Sequence, residues 1–283
     1  KAGVDYSKME PFKMAMIETG KKTLSFPNKR GVYINKDVMH SHGAVFQYKG
    51  DEEHLWAKTQ EGLGNKNWIA EWMYQRTGNP KYFAGIGIDT AMMAVVDLLR
   101  HGAMPVVYTA EVAAGDSEWF DDEARRQAHV ESFFEACRLA RMALVGGESS
   151  SLRYLARAEL PVKSAPIFSG CATGIIVPVT RVVQEVRVRA GAEILGAPSS
   201  GLHANGISLV IKRAMALKDQ FLHVLPNGRT LGEESLIPTA CYADVVESLL
   251  EAEVEVLGIV PVTGDGVAKL LRDPRPFTYR IKR

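Results

Sequence analysis

The feature that most constrains the fold is an apolar helix predicted over residues 90–101. Asp89 is a good N-cap residue, no helix breaker interrupts the segment, and Gly102 can adopt the left-handed conformation that ends a helix. Asp97 is the only ionisable residue between Thr90 and Leu99, so the helix is otherwise suited to burial. The rest of the chain must therefore supply a core around it.

Segments with the composition of strands alternate with predicted helices. β-branched and aromatic residues typical of strands are found in residues 31–38, 42–48, 54–59, 104–113, 143–147, 167–183 and 256–262. Further helices are predicted within residues 1–23, over 121–142, from about residue 205, and from Pro238 and Thr239 to Leu250. This alternation predicts an α/β or α+β fold.

The length of 283 residues exceeds the size to which a single core usually grows, which favours two domains. We place an N-terminal domain at residues 1–180 and a C-terminal domain at residues 181–283, with the link between them near residues 181–190. The chain stops soon after a glycine turn and a short predicted helix. We therefore expect the second domain to be incomplete.

Composition limits the classes of partner. With 34 basic and 33 acidic residues the formal net charge is +1, so there is no electrostatic reason to expect nucleic acid or an anionic membrane as partner. No apolar stretch approaches the length of a bilayer span, and the N-terminus lacks the apolar core of a signal peptide. Cys137, Cys171 and Cys241 are widely spaced and odd in number, as is typical of buried thiols in a reducing compartment. We expect a soluble cytoplasmic protein.

Glycines and charged residues meet where predicted strands lead into helices. In the first such segment Gly62 and Gly64 flank a leucine, Glu61 precedes them, and Lys66 follows at a spacing that could reach a phosphate. The spacing differs from that of a Walker A loop. A plain turn with solvated charges is the alternative interpretation.

Four carboxylates in these junctions form a candidate magnesium site. They are Glu61, Asp89, Asp97 and Glu148, the last placed directly after a predicted Gly-Gly turn. Asp97 is the strongest member, because an isolated carboxylate on a buried helix needs a cation or several hydrogen-bond donors. Asp89 could equally be no more than an N-cap.

His203 is the candidate proton-transfer residue. It lies in a polar turn flanked by Gly201 and Gly206, ahead of a predicted apolar helix, and the pKa of a histidine lies near neutrality. A structural role is the alternative. The other six histidines, including His40 and His42, have no comparable setting and are interpreted as surface or strand residues.

Read together, these segments resemble the aminoimidazole ribonucleotide synthetase family. The matching pieces keep the family's order over most of the chain, and they read KAGVDY, GIDTAMMAVVDLLRHGAMP, LVGGES, GLHANGISLV, LIPTACYADVV and PVTGDG. Any one of these pieces alone would be weak evidence for the family. Six in the right order identify the superfamily.

The resemblance implies a two-domain enzyme that binds ATP and Mg²⁺, and a homodimer in which N-terminal strands of two subunits form a barrel. Family members phosphorylate an amide oxygen of formylglycinamidine ribonucleotide and close its ring in purine biosynthesis. The implied nucleotide-binding positions are Gly62, Gly64, Lys66, Thr263, Gly264 and Gly266. The implied catalytic residues are His203, Asn205 and Lys66, and the implied metal ligands are Glu61, Asp89, Asp97 and Glu148.

The chain also departs from the family's pattern. Val96, Pro261 and Asp265 replace an amide, a histidine and a glycine of the family's motifs. These departures bear on the substrate more than on the fold. Two alternatives therefore stay open beside the cyclo-ligase: a divergent relative that uses Mg-ATP to phosphorylate another small substrate, and a non-catalytic dimeric module.

Overall fold

A computed structural model describes residues 4–38 and 43–281. His40 and His42 lie outside the described residues, as do the first three residues of the KAGVDY segment. The helices are α1 (Tyr6–Thr23), α2 (Lys66–Thr77), α3 (Ile86–Leu99), α4 (Glu123–Ala140), α5 (Ile207–Met215), α6 (Leu231–Ser235) and α7 (Ala243–Glu251). The strands are β1 (Val32–Ile34), β2 (Phe46–Tyr48), β3 (Leu55–Gly62), β4 (Met104–Ala114), β5 (Ala143–Ser151) and β6 (Ile167–Ile176). The predicted mixed α/β class is confirmed.

The four longer strands form one sheet in the order β3-β6-β4-β5. β6 pairs antiparallel with both β3 and β4, and β4 pairs parallel with β5. The carboxyl ends of β3, β4 and β5 therefore lie at the same edge of the sheet. β1 and β2 form a separate antiparallel pair.

Helix α3 occupies the centre of the core, as the sequence predicts, and packs against α4 and the sheet. Gly102 has φ 76°, which confirms the predicted left-handed stop. The helix begins earlier than predicted, so Asp89 lies in its first turn and is not its N-cap. The reason is tertiary: the Ser132 hydroxyl of α4 accepts hydrogen bonds from Gly87 N and from the next backbone N–H, at 2.9 and 3.2 Å.

One segment passes the length and composition test for a membrane span, contrary to our expectation. Residues 80–99, which include α3, are long and apolar enough, but 78% of their apolar stretch of 18 residues is buried inside the protein. Such burial is typical of the core helix of a folded domain.

Helix α4 matches its prediction, and its first turn is capped by the Asp122 side chain, which accepts a hydrogen bond from Arg125 N.

The predicted Gly-Gly turn after β5 is wrong, because the strand continues through Gly146 and Gly147 to Ser151. A Cβ on Gly147 would lie 2.2 Å from the Ala110 carbonyl oxygen. Glycine is needed here for the close approach of two strands rather than for a turn.

Beyond residue 181 the described residues form helices, turns and loops. The predicted strand over 256–262 is wrong, because these residues have no regular structure and pair with no other strand in the described part of the chain. Ile207, Leu236 and Val246 join the core around α3. The buried Arg30 also binds Glu247 of α7, with Nε to Oε1 at 2.8 Å. The boundary between residues 180 and 181 stays a prediction.

Candidate active site

The first part of the candidate site is the turn from β3 into α2. Gly64 has φ 74°, a conformation that favours glycine, and it reverses the chain so that Lys66 opens the helix. A Cβ on Gly64 would meet open space, so the backbone angle rather than crowding requires glycine here. The Lys66 side chain is completely buried.

Lys66 and Asp89 form a buried ion pair. The Lys66 Nζ lies 2.8 Å from Asp89 Oδ2 and donates a hydrogen bond to the Ile237 carbonyl oxygen at 2.7 Å. The other carboxylate oxygen of Asp89 accepts from the Thr239 backbone N–H at 2.8 Å and from its hydroxyl at 2.6 Å. Burial raises the pKa of Asp89 and lowers the pKa of Lys66, and the contact between them opposes both shifts. The pair joins α2, α3 and residues 236–242.

The hydrogen bonds from Thr239 to Asp89 explain why the helix predicted from Pro238 begins later than predicted. The backbone N–H and hydroxyl of Thr239 bind Asp89 and do not cap a helix. Helix α7 therefore begins only at Ala243.

Residues 236–242 also bring the His203 loop to Lys66. The Ser200 hydroxyl donates to the Pro238 carbonyl oxygen at 2.7 Å, and the Tyr242 hydroxyl donates to the Pro198 carbonyl oxygen at 2.9 Å. The two predicted catalytic segments, which are far apart in sequence, thus lie side by side.

His203 has φ 53° and is partly buried. Its Nε2 accepts a hydrogen bond from the Ser200 backbone N–H at 3.3 Å and lies 3.2 Å from the Ser199 hydroxyl. Burial, and to a smaller degree the charge of Lys66, lowers the pKa of His203. The imidazole is therefore neutral at physiological pH, with its proton on Nδ1 because Nε2 is an acceptor.

Two helix amino termini meet beside this loop. Asn65 precedes α2 and Gly206 precedes α5, and neither helix has a side-chain cap. The Asn65 amide donates to the Ser208 hydroxyl at 3.0 Å, which joins the two termini directly. Free N–H groups and the positive ends of two helix dipoles make this a favourable place for phosphate.

A second carboxylate of α3 lies at the other end of the helix. The Asp97 carboxylate accepts a side-chain hydrogen bond from Glu61 of β3 when Glu61 is protonated, and the two are like charges when both are ionised. Burial, and then Asp97, raises the pKa of Glu61, whereas Lys269 lowers it. The Lys269 ammonium in turn binds the Thr263 hydroxyl. Two neighbouring carboxylates are the kind of ligands that Mg²⁺ uses together with water and phosphate oxygens, so this pair fits the ion.

The four predicted metal ligands do not converge. Asp89 is saturated by Lys66 and Thr239, about 12 Å along α3 from Asp97 at 1.5 Å per residue. Glu148 is exposed. Glu148 pairs with Glu111 on β4, Glu111 pairs with Ser169 on β6, and Ser169 pairs with Gly62 on β3, so these four positions face the same side of the sheet. Because side chains alternate along a strand, Glu61 points to the opposite face from Glu148. Within residues 4–38 and 43–281 no group of three or more acidic, histidine or cysteine side chains is placed to hold a metal ion.

The last predicted segment is the glycine turn that contains Gly264. Gly266 N donates to the Thr263 carbonyl oxygen at 2.9 Å, and Gly266 has φ 58°. The Asp265 carboxylate is paired with Arg272 at 2.6 Å. An acidic residue in this turn therefore does not present an uncompensated negative charge to a phosphate.

Sequence reasoning missed several polar residues at the site. Thr239, which binds Asp89, is assigned by the sequence only to the start of a helix, and Lys269 lies in a segment interpreted as an ordinary short helix. Glu111 accepts a hydrogen bond from the Ser169 hydroxyl at 2.6 Å on the open face of the sheet. A single acidic residue in the otherwise apolar β4 segment was a signal that could have singled out Glu111.

Comparisons with known proteins give matches over most of the chain. The family model for AIR synthase related protein, N-terminal domain, matches residues 42–176. A phosphoribosylformylglycinamidine cyclo-ligase from Methanosarcina barkeri is 30% identical over 276 residues, which are 96% of this chain and 73% of that protein. Another from Carboxydothermus hydrogenoformans is 33% identical and covers 82% of this chain, which in turn spans 63% of that protein's length.

Solved structures include a more distant match. Thiamine-monophosphate kinase from Stenotrophomonas maltophilia K279a is 16% identical with a TM-score of 0.49, over 82% of this chain and 63% of that one.

Proposed function

Because this chain belongs to the phosphoribosylformylglycinamidine cyclo-ligase family, we propose that it is an ATP-dependent ligase that closes formylglycinamidine ribonucleotide to aminoimidazole ribonucleotide in purine biosynthesis. The observation that carries this proposal is the meeting of two uncapped helix amino termini at Asn65 and Ser208, beside His203. This arrangement offers a phosphate site and a neutral imidazole at one place.

The ATP phosphates lie at the start of α2 and α5 in this proposal, where Gly62 and Gly64 keep side chains away from the ligand. The turn of Thr263, Gly264 and Gly266 is assigned to the same site, because Lys269 binds the Thr263 hydroxyl and lowers the pKa of Glu61. Glu61 and Asp97 would hold Mg²⁺, which neutralises charge on the transferred phosphoryl group when bound.

Lys66 is assigned a positioning role. Its ammonium group is buried against Asp89 and the Ile237 carbonyl oxygen, so it fixes residues 236–242 and through them the His203 loop. Its predicted contact with a phosphate stays a prediction.

The reaction has two steps. The formyl-amide oxygen attacks the γ-phosphorus of ATP, a P–O bond forms, and ADP leaves. The amine nitrogen then bonds to the formyl carbon, and the bond between that carbon and the phosphorylated oxygen breaks. Phosphate leaves with this oxygen, and the nitrogen loses a proton. We assign acceptance of that proton to Nε2 of His203, which is neutral and must give up its bond from Ser200 N. Asn205, partly buried in the same loop, would orient the substrate.

The enzyme acts as a cytoplasmic homodimer in this proposal, without nucleic acid or membrane as partner. The sheet face opposite α3 supports a subunit interface there, because Trp56 on β3 and Ile167 on β6 are 43% and 55% exposed. Sedimentation at micromolar concentration should give about twice the chain mass of 31.1 kDa, and a monomer throughout that range would contradict the dimer.

The direct test is to incubate the protein with Mg-ATP and formylglycinamidine ribonucleotide that carries a heavy-oxygen label on the formyl group. The expected products are ADP, aminoimidazole ribonucleotide and phosphate that contains the label. ATP consumption with an unlabelled phosphate, or with no ring closure, would instead favour a relative that phosphorylates another substrate.

The His203→Ala variant tests the site. Loss of a general base lowers turnover by about 100- to 10,000-fold, with little change in thermal stability. The matched control is His223→Ala, since His223 is exposed and its side chain has no role in the proposal. Turnover near that of the wild type in His203→Ala would assign His203 to structure.

A further inference from the structure

An open cavity of about 720 Å³ lies where β4 and β5 end, between the first turn of α1 and the loop of residues 152–166. The residues that line it are separate from Lys66, His203 and the Glu61–Asp97 pair. Its volume falls within the range of roughly 300–1,000 Å³ that is typical of small-molecule sites. It lies at the same edge of the sheet as the candidate active site.

The acidic side chains that line the cavity already have partners. Asp5 caps α1, and Asp116 accepts a hydrogen bond from the Trp119 backbone N–H at 3.0 Å. Glu118 is paired with Lys8 at 3.2 Å. Their negative charges are therefore partly compensated before any ligand enters.

Two basic side chains of the lining have no such partner. Arg157 and Lys163 are exposed at the cavity, and neither forms an ion pair or a hydrogen bond with any other residue that the structure describes. Directly after Lys163 in sequence, Ser164 contributes a buried hydroxyl oxygen that also lacks a partner in the described residues. A buried hydroxyl without a hydrogen bond is unfavourable, and an anionic oxygen would satisfy it.

The loop that carries these three groups is held in place at Ala156 and at Glu159. A Cβ on Gly115 would lie 2.5 Å from the Ala156 carbonyl oxygen, so the loop packs directly on the end of β4. The Nε1 of Trp68, two residues after Lys66 in α2, donates to the Glu159 carbonyl oxygen at 2.8 Å. The cavity wall is thus fixed to the helix that forms one side of the candidate active site.

We infer that this cavity binds the phosphate of a phosphomonoester through Arg157, Lys163 and Ser164. A dianionic phosphate matches two unpaired cations and a hydroxyl donor, and the remaining volume has room for a sugar. The ligand's identity rests on the proposed function: it is the 5′-phosphate of the ribonucleotide substrate, held while the other end of the molecule reaches the α2 and α5 termini.

The test is calorimetric titration with ribose 5-phosphate, in the absence of ATP, with ribose as the unphosphorylated control. Ribose 5-phosphate should bind and ribose should not. Arg157→Gln and Lys163→Gln should each weaken binding about tenfold, the size expected for one hydrogen bond to a charged group. The matched controls, Arg76→Gln and Lys218→Gln, replace exposed basic residues outside the cavity and should leave binding unchanged.

Three results would overturn the inference: no binding of ribose 5-phosphate, equal weakening by the control variants, or unchanged binding in both cavity variants. Inorganic phosphate that binds as tightly as ribose 5-phosphate would assign the cavity to free phosphate and overturn the sugar-phosphate assignment. The titration requires no turnover, so the cavity can fail while the ligase activity stands, and the activity can fail while binding persists.

Discussion

Two aspartates on the same helix differ in almost every physical respect. Asp89, near the start of α3, is completely buried, forms an ion pair with Lys66 and accepts two hydrogen bonds from Thr239. Asp97, near the end, is only partly buried and lies against the carboxylate of Glu61. One carboxylate is satisfied by the protein and the other faces a like charge.

The difference separates a structural carboxylate from a ligand-binding one. A buried charge with good partners holds elements together and has no capacity left for an ion. Two adjacent carboxylates destabilise each other until a proton or cation lies between them. Two adjacent carboxylates such as Glu61 and Asp97 are therefore suited to binding a divalent cation.

The largest effect should come from removing the charge of Asp89. In Asp89→Asn the buried ammonium of Lys66 loses its counter-charge, which costs about 3–5 kcal/mol of unfolding free energy. Chemical denaturation measures this loss. The double variant Lys66→Met with Asp89→Leu should recover much of it, because an apolar pair leaves no unpaired charge. A stable Asp89→Asn protein that no longer responds to Mg-ATP would make Asp89 a metal ligand after all.

The next effect is expected at Asp97. In the wild type, Mg-ATP at 100 times its dissociation constant should raise the unfolding free energy by about 2.7 kcal/mol. Asp97→Asn should fold at least as well as the wild type without ligand, because it removes a like-charge contact with Glu61. It should lose most of the Mg-ATP response. Melting curves of both proteins with and without Mg-ATP make the measurement, and a retained response would remove Asp97 from the site.

The contrast also shows what the sequence could predict. The α3 and α4 helices follow from composition, spacing and the left-handed stop at Gly102, all of which act within a few residues. The unusual status of Asp97 followed from its apolar neighbours. The role of Asp89 did not, because Thr239 is 150 residues away and no local signal joins the two.

The wrong predictions have a common cause. A strand exists only if another strand pairs with it, and residues 256–262 have the composition without a partner in the described chain. Glu148 was grouped with Glu61 because each lies directly beside a glycine in sequence. Side chains alternate across a sheet, however, and these two point to opposite faces. Both errors concern tertiary placement, which periodicity does not contain.

A smaller effect should appear in the pH dependence of stability. The pKa of Glu61 is raised in the folded protein, so the folded state holds the proton more strongly than the unfolded state. The destabilising contribution is therefore complete above the folded pKa and disappears as the pH falls through it towards the ordinary value near 4.5.

Two variants sharpen this prediction in opposite directions. Asp97→Asn removes a cause of the raised pKa, so carbon NMR of the Glu61 carboxyl should show a lower value than in the wild type. Lys269→Gln removes the cation that opposes the shift, so the pKa of Glu61 should rise further. Equal values in all three proteins would show that Glu61 does not sense either neighbour.

The smallest effect is expected at Glu148, the carboxylate that the sequence grouped with the other three. Its side chain is exposed on the opposite face of the sheet from Glu61, and its carboxylate accepts a hydrogen bond from the adjacent Ser149 backbone N–H at 3.0 Å. Glu148→Gln keeps the shape and removes the charge, so stability should change by less than about 0.5 kcal/mol, as is usual at the surface.

The response of Glu148→Gln to Mg-ATP should equal that of the wild type, because the charge lost is not beside the Glu61–Asp97 pair. Melting curves recorded beside those of Asp97→Asn make the comparison, since both variants convert one carboxylate to its amide. A response lost in Glu148→Gln but kept in Asp97→Asn would place the cation on the open face of the sheet. Glu111, the register partner of Glu148, would then be the next ligand to test, and α3 would hold no functional carboxylate.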